Sequence, residues 1–356
     1  VSHVKNVLLL GSTGAVGRAC LDVLAERHDM YLAIAGRDEA RLREVASAIQ
    51  GDVELARLDV TDAAAVAAAV RCCDVVINCA GPSQRLSAQV AEAAIDARVP
   101  YVDPGGDQAL LDRIRTAAVP VVLQAGVQPG LSGLLLRVLA PQQSDDITAW
   151  CGGLQPLTPA SVLEYMASLH DTHSHPGAVL RDGAIRRVSR AECKPAPAQH
   201  FPGSVSVHPH LDAETIAVAA HLGVGNICWM NVFDGKHTTH AIQLLAVDNE
   251  RQHDLDAVLA AAKLDLFGRR PYFAIVATAG ADVGCKSVAF TCTDSYRVTG
   301  ALTAFAAQHV AGMPAGAHPF WSVNSPHRAL EFLTEAVPGA EVSFAEASPA
   351  IEEGFL

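Results

Sequence analysis

The stretch from Val7 to Gly17, VLLLGSTGAVG, joins an apolar strand pattern to a helix pattern through three glycines, Gly11, Gly14 and Gly17. A strand that ends in such a turn and opens a helix presents free N–H groups and the positive end of the helix dipole. That combination suits a pyrophosphate. Gly11 permits the tight turn, and the later glycines let a phosphate and the strand approach the helix closely. Ser12 and Thr13 offer hydroxyl donors, and Ala15 and Val16 open the helix. The spacing is G-x-x-G-x-x-G rather than the strict G-x-G-x-x-G. Taken alone, the turn also reads as a tight β–α connection that holds no ligand.

Outward from this turn the first 140 residues alternate strand and helix patterns. Apolar strands read at 7–10, 31–35, 53–58, 74–78, 100–102 and 119–123. Helix patterns lie between them at 15–26, 38–49, 62–70, 83–97, 107–117 and 130–139. Strands that read as continuous apolar runs, alternating with helices, imply a parallel sheet covered on both faces. After Pro141 the strands crowd together at 147–151, 226–233, 239–247 and 272–279, among loops containing Gly, Pro and His. This pattern predicts a second, α+β domain with a largely antiparallel sheet. An amphipathic helix over 298–309 would return to the first domain.

Composition narrows the function. The chain has 356 residues, enough for two cored domains, and half of them are hydrophobic, which excludes a disordered chain. A formal net charge of -12 argues against nucleic acid as a partner. Nine cysteines, an odd number with no C-x-x-C pair, point to reduced thiols and a cytoplasmic protein. No signal-peptide pattern opens the sequence, and no run approaches the ~20 apolar residues of a membrane span.

The second strand ends AIAGRDEARL. An NAD-binding fold usually places an acidic side chain there to grip the adenosine ribose. Arg37 stands there instead, and a guanidinium suits a 2′-phosphate, so NADP(H) is expected over NAD(H). The alternative has Arg37 solvated and Asp38 on the ribose. Asp59 and Val60, after the third strand, are expected to flank the adenine. Cys79, Ala80, Gly81 and Pro82 follow the fourth strand from Asn78, where small residues let a cofactor pass close to the sheet. Cys79 reads as a packing residue rather than a nucleophile. Gln124, after the sixth strand, is expected to border the cofactor.

Catalytic candidates are Asp103, Tyr165, His170 and His173. Asp103 ends the fifth strand, facing the crevice where ligands bind in open α/β sheets, or else caps the helix near Asp107. Of fifteen histidines, only His3 and His28 precede His170. The run LHDTHSHPG brings His170, Asp171, His173 and His175 together. One of these histidines would suit a general acid near neutral pH. The loop offers no nearby Cys or Glu, so a polar cleft is expected there and no metal. None of the five tyrosines has a Lys four residues on, so the Tyr-x-x-x-Lys pair of short-chain dehydrogenases is absent.

In these segments the chain resembles the saccharopine dehydrogenase-like (saccharopine reductase) oxidoreductases. VLLLGSTGAVGR and IAGRDEARL resemble the family's cofactor turn and second strand, and DVVINCAGP its fourth strand and loop. YVDPGGD and VVLQAGVQPGLSGLL resemble the paired segments that run into the substrate cleft. AWCGGLQP, VLRDGAIRRV, NICWMNVFDG and TDSYRVTGALTAFAAQHVAG follow in the family's order. The resemblance implies an α/β protein with a Rossmann-type doubly wound parallel sheet and an inserted α+β domain holding a mixed, largely antiparallel sheet. The Rossmann domain would take residues 1–128 and 296–356, and the insert 129–295. It also implies a homodimer and reversible hydride transfer between NAD(P)H and a C=N bond. Members acting on amino diacids carry arginines in two substrate loops. Here those places read Ser174-His-Pro-Gly177 and Phe201-Pro-Gly-Ser-Val-Ser-Val-His208, with both guanidiniums missing. A substrate with fewer carboxylates is expected, a small-molecule or carrier-bound imine rather than saccharopine. A C=C or C=O reductase, or a non-catalytic NADP-binding regulator, is the alternative on the same scaffold.

Overall fold

The structure, a computed structural model, describes residues 5–247, 255–280 and 285–346. The chain divides into two units. The first runs to Leu134 and takes up the chain again over Ser295–Pro338; the second holds Leu135–Asp294 and the chain from Gly339.

In the first unit, strands β1 (Lys5–Leu10), β2 (Met30–Gly36), β3 (Val53–Arg57), β4 (Val75–Asn78), β5 (Tyr101–Val102) and β6 (Pro120–Leu123) alternate with helices. These are α1 (Ala15–Ala25), α2 (Glu39–Ser47), α3 (Ala63–Val70), α4 (Ser83–Asp96), α5 (Gln108–Arg113) and α6 (Leu131–Leu139), the last of which spans the boundary between the units. With β15 (Gly316–Pro319) the strands form one sheet in the order β15-β6-β5-β4-β1-β2-β3, every pair parallel. Val7, Leu8, Leu9 and Leu10 are each 2% exposed or less, as a strand covered on both faces requires. Leu8 and Leu10 join Val76, Tyr101, Val121 and Leu123 in one core cluster.

Helix α11 (Ser295–His309) does return to the first unit and packs on α1. A Cβ on Gly300 would lie 2.5 Å from the Cys20 backbone nitrogen, so the two helices meet backbone to backbone. Its run Gly300–Ala307 is buried without interruption, which explains a small-residue, apolar sequence all round the helix. Helix α12 (Pro326–Ala336) follows β15.

The second unit is built on β7 (Asp146–Leu154), β8 (His175–Pro176), β9 (Ala178–Arg181), β10 (Ala184–Arg187), β11 (Ser206–Leu211), β12 (Asn226–Phe233), β13 (Tyr272–Ala279), β14 (Lys286–Cys292) and β16 (Glu341–Glu346). The sheet order is β10-β9-β12-β7-β13-β14-β16, with β11 on β12 and β8 on β11. Only the β7–β12 pair is parallel among these, so the sheet is mixed and largely antiparallel. Helices α7 (Pro159–His170), α8 (Ala213–Leu222), α9 (Lys236–Val247) and α10 (Leu255–Leu266) complete it.

Two expectations need correction. The apolar run at 239–247 is helical, not a strand. Its N-terminus is capped from elsewhere in the chain: Asp265 accepts from Thr238 N at 2.7 Å, Thr238 Oγ1 at 2.8 Å and His237 N at 3.3 Å. Ile242 and Leu245 then fall one turn apart on the same small core as Val162 and Val258. The chain's last described strand also leaves the Rossmann unit. Residues 341–346 pair antiparallel with β14 and extend the second sheet, whereas the expectation kept all of 296–356 with the first.

Candidate active site

The parallel sheet reverses its strand order between β1 and β4, and α/β sheets bind ligands at the carboxyl ends of the strands at such a point. The glycine turn lies there. Gly11 has φ +75°, and a Cβ on it would sit 2.5 Å from Ala80 N; a Cβ on Gly17 would sit 2.2 Å from the Gly11 carbonyl oxygen. Glycine at both positions therefore lets the turn nest between α1 and the loop after β4. Gly14 is the N-cap of α1 and brings no side chain to it, and the first turn holds no acid. By contrast α2, α3 and α5 are capped by the carboxylates of Asp38, Asp62 and Asp107. Ser12 is fully buried, and its hydroxyl has no partner among the described residues. Thr13 is half-buried, Ala15 is exposed and Val16 half-buried beside it. This turn offers an anion backbone donors and a hydroxyl that the chain itself leaves unused.

Arg37 follows β2 with its side chain exposed and in no ion pair with the described residues. Asp38 points its carboxylate back at Ala40 N (3.0 Å) and Arg41 N (3.2 Å). Its capping duty leaves the guanidinium as the outward-facing charge. Asp59 accepts from Thr61 N at 2.9 Å and Thr61 Oγ1 at 2.8 Å. Those bonds, with help from the Arg37 charge, hold its carboxyl below the usual range. Val60 is buried, and its carbonyl accepts from Gln89 Nε2 at 2.8 Å.

After β4, Cys79 donates its N–H to Leu10 O at 2.9 Å, while Ala80 N donates to Asn78 Oδ1 at 3.2 Å. The Cys79 thiol is pushed up by the Cys20 thiol and then by burial, so it stays neutral, as a packing residue should. Gly81 is exposed, and Pro82 stands at the N-terminus of α4, which also lacks a side-chain cap. Gln124 is buried with φ +63°; its N–H donates to Gly105 O at 2.8 Å and its Nε2 to Gly106 O at 3.3 Å.

Asp103 is 2% exposed, and it does not cap α5, which Asp107 does. Its Oδ2 accepts from Asn78 Nδ2 at 2.9 Å and Tyr101 Oη at 2.5 Å, and its Oδ1 from Gly105 N at 2.7 Å. Burial raises its pKa, and these donors pull it part of the way back. Asn78 bonds Asp103 on one side and the Ala80 N–H on the other. Asp103 thus ties the loop after β4 to the loop after β5. It is a positioning residue with both oxygens engaged, not an exposed acid. The sequence marks Asn78 only as the start of the segment expected along the cofactor ribose, and it does not mark Tyr101 as functional; the signal for their pairing with Asp103 is their place on neighbouring strands.

Tyr165, His170 and His173 belong to the second unit. Tyr165, on α7, meets Phe233 edge-on with ring centroids 5.5 Å apart. Its hydroxyl is pushed up to about 12 by burial, with an Asn231 hydrogen bond offsetting part of this. His170 is exposed at the end of α7, its Nδ1 2.8 Å from Met166 O. His173 sits in the following loop with its N–H on Asp171 Oδ1 (2.8 Å) and its ring Nδ1 3.3 Å from the same oxygen. The histidine the sequence did not single out is His210. It is 4% exposed on β11, with Nε2 2.9 Å from Ser174 Oγ, and burial lowers its pKa. No group of three metal-ligating side chains occurs among the described residues.

A doubly wound parallel sheet with an uncapped glycine turn at its switch point defines a dinucleotide-binding dehydrogenase or reductase domain. Residues 7–151 match the family model described as the saccharopine dehydrogenase NADP binding domain. The whole chain superposes on apo saccharopine dehydrogenase (L-Glu forming) from Saccharomyces cerevisiae with TM-score 0.69 at 18% identity, covering 97% of this chain and 100% of that one. Serine dehydrogenase from Escherichia coli is 15% identical, over 33% of this chain and 80% of that one, with TM-score 0.28. PbgP3 from Burkholderia pseudomallei is 18% identical, over 28% and 38%, with TM-score 0.24. No curated protein matches the sequence. Residues 7–151 thus carry an NADP-binding domain of the saccharopine dehydrogenase type, and the chain has the fold of saccharopine dehydrogenase.

Proposed function

We propose that the protein is an NADP(H)-dependent oxidoreductase acting on C=N and C–N bonds, an imine reductase or opine-type dehydrogenase, with saccharopine not its substrate. The observation that carries this reading is the α1 N-terminus. It is uncapped, flanked by the unpartnered Ser12 hydroxyl, on the same sheet edge as the unpaired Arg37 guanidinium. Gly11, Ser12, Thr13, Gly14, Ala15 and Val16 would hold the pyrophosphate, and Arg37 the 2′-phosphate. Asp59 and Val60 would flank the adenine. Cys79, Ala80, Gly81 and Pro82, with Gln124, would border the rest of the cofactor.

NADPH, when bound, supplies the hydride. The chain's part is to orient the acceptor and exclude water, because a protonated imine is already electrophilic. Asp103 fits that part: it positions two loops and carries no exposed proton. Tyr165, whose hydroxyl stays protonated at neutral pH, and His170 and His173 are the proton-handling candidates of the second unit. Ser174, in a loop where diacid enzymes of the family hold an arginine, is paired with neutral His210 instead. This supports a substrate with fewer carboxylates. None of the nine cysteines is in a disulfide, which fits a cytoplasmic setting, and a homodimer is proposed by analogy with the family.

The test is NADPH oxidation with cyclic imines and with ketone–amine pairs. Turnover should require the imine or the amine. Consumption of ketones alone would move the protein to the carbonyl reductases, and efficient oxidation of saccharopine would overturn the substrate argument.

A further inference from the structure

The second unit contains a small pocket of about 110 Å³ between α7 and α9, closed by β12 and lined by Tyr165, Leu169, His208, Phe233, Thr239, Ile242 and Gln243. We propose that this pocket is a specificity subsite for an uncharged, amide- or hydroxyl-tipped alkyl group of the substrate, and that it rejects a carboxylate. The proposal rests on the reductase reading above for what the rest of the substrate is, but the pocket's own chemistry stands apart from it.

The walls are apolar and aromatic. Tyr165 and His208 both meet the Phe233 ring edge-on, at 5.5 and 5.7 Å, each 77° from its plane. Such a geometry leaves a rigid wall with little rotamer freedom to lose on binding. The volume takes a group of roughly four heavy atoms. The polar tips around it are hydrogen-bonding groups: the Tyr165 hydroxyl, the Thr239 hydroxyl, the Gln243 amide and the His208 ring. Tyr165 remains a phenol at neutral pH, because burial pushes it up to about 12. Thr239 Oγ1 donates to Gly235 O at 2.7 Å and lies 3.4 Å from Ser206 Oγ, so a remaining lone pair is what it can offer a ligand.

Among the described residues no lysine or arginine lines the pocket. The guanidinium of Arg269 is held by buried Asp234 at 2.6 Å, and Lys236 lines a separate cleft between α9 and α10. A carboxylate entering here would lose water without gaining a lysine or arginine partner, which is unfavourable, whereas an amide would exchange its hydrogen bonds.

Saturation-transfer NMR with butyramide and butyrate as probes tests this without catalysis. Butyramide should show transfer, and butyrate at least fivefold less. Thr239→Leu, which fills the pocket, should remove the butyramide signal. Gln243→Arg, on an exposed position, should favour butyrate by about fivefold through a charge-assisted hydrogen bond. Equal signals from the two probes, no signal from either, or a butyramide signal unchanged in Thr239→Leu would overturn the proposal. Probe binding in a protein that reduces no imine would remove the reductase reading and leave the pocket; imine turnover without probe binding would remove the pocket alone.

Discussion

At the scale of single residues, two side chains divide the work of the nucleotide unit. Arg37 is outward-facing charge, freed because its neighbour Asp38 is spent on capping α2. Arg37→Ala should weaken NADPH binding by about 10- to 100-fold, the worth of a hydrogen bond to a charged group, and leave NADH binding unchanged. Fluorescence titration with both nucleotides reads this directly, and an equal loss for both would reassign the 2′-phosphate. Asp103 is the inward-facing counterpart. It accepts three hydrogen bonds in a buried setting, and an amide in its place offers one acceptor where two oxygens are needed. Asp103→Asn should therefore cost about 1–3 kcal/mol of stability in urea denaturation, even though it removes a buried charge. A stability equal to wild type would show that the donors around it do not depend on the carboxylate.

At the scale of elements, helix ends decide most of what is functional. α2, α3 and α5 have Asp caps that the sequence displays, each just before the helix pattern begins. α1 has none, and its N-terminus is held by close approach of backbone to backbone. Gly17→Ala would drive a methyl group into the Gly11 carbonyl, so overpacking of about 1–3 kcal/mol is expected together with loss of NADPH affinity. Retention of both stability and affinity would contradict the nested turn. α9 shows the opposite case. Its cap, Asp265, lies on α10, so nothing local marks 236–247 as a helix. Asp265→Ala should cost about 0.5–2 kcal/mol and reduce helical circular dichroism, whereas an intact spectrum and midpoint would mean that packing alone holds α9.

At the scale of the whole molecule, stability should respond to pH through His210. Burial lowers its pKa below the ordinary 6.5, with His175 pushing the same way and Asp212 opposing. The unfolded chain then binds the proton more readily than the folded one. Stability from His210 is fully present above pH 6.5, falls as the pH drops below that value, and levels off below the lowered folded pKa. The thermal midpoint of the wild type should therefore fall more steeply between pH 7 and pH 5 than that of His210→Gln. Parallel profiles would show that the buried ring does not control this window. The units also differ in how legible they are. In the first, the central strands are buried on both faces and each helix follows its strand locally, so all twelve elements from β1 to α6 can be read from periodicity and caps. In the second, strands pair across long separations, as β7 does with β12 and β13, and the run at 239–247 is apolar enough to read either way.

The amino-acid sequence alone determines the doubly wound nucleotide unit, the glycine turn and the choice of Arg37 over an acid, because each depends on residues adjacent in the chain. Tertiary structure alone decides three further things. Asp103 becomes a buried tie between loops through Asn78 and Tyr101. His210 rather than its loop neighbours pairs with Ser174. Residues 341–346 leave the first sheet for the second. Each of these includes hydrogen bonds between separate segments, as Asn78 with Asp103, Ser174 with His210 and β16 with β14, and side-chain periodicity carries no information about such partners.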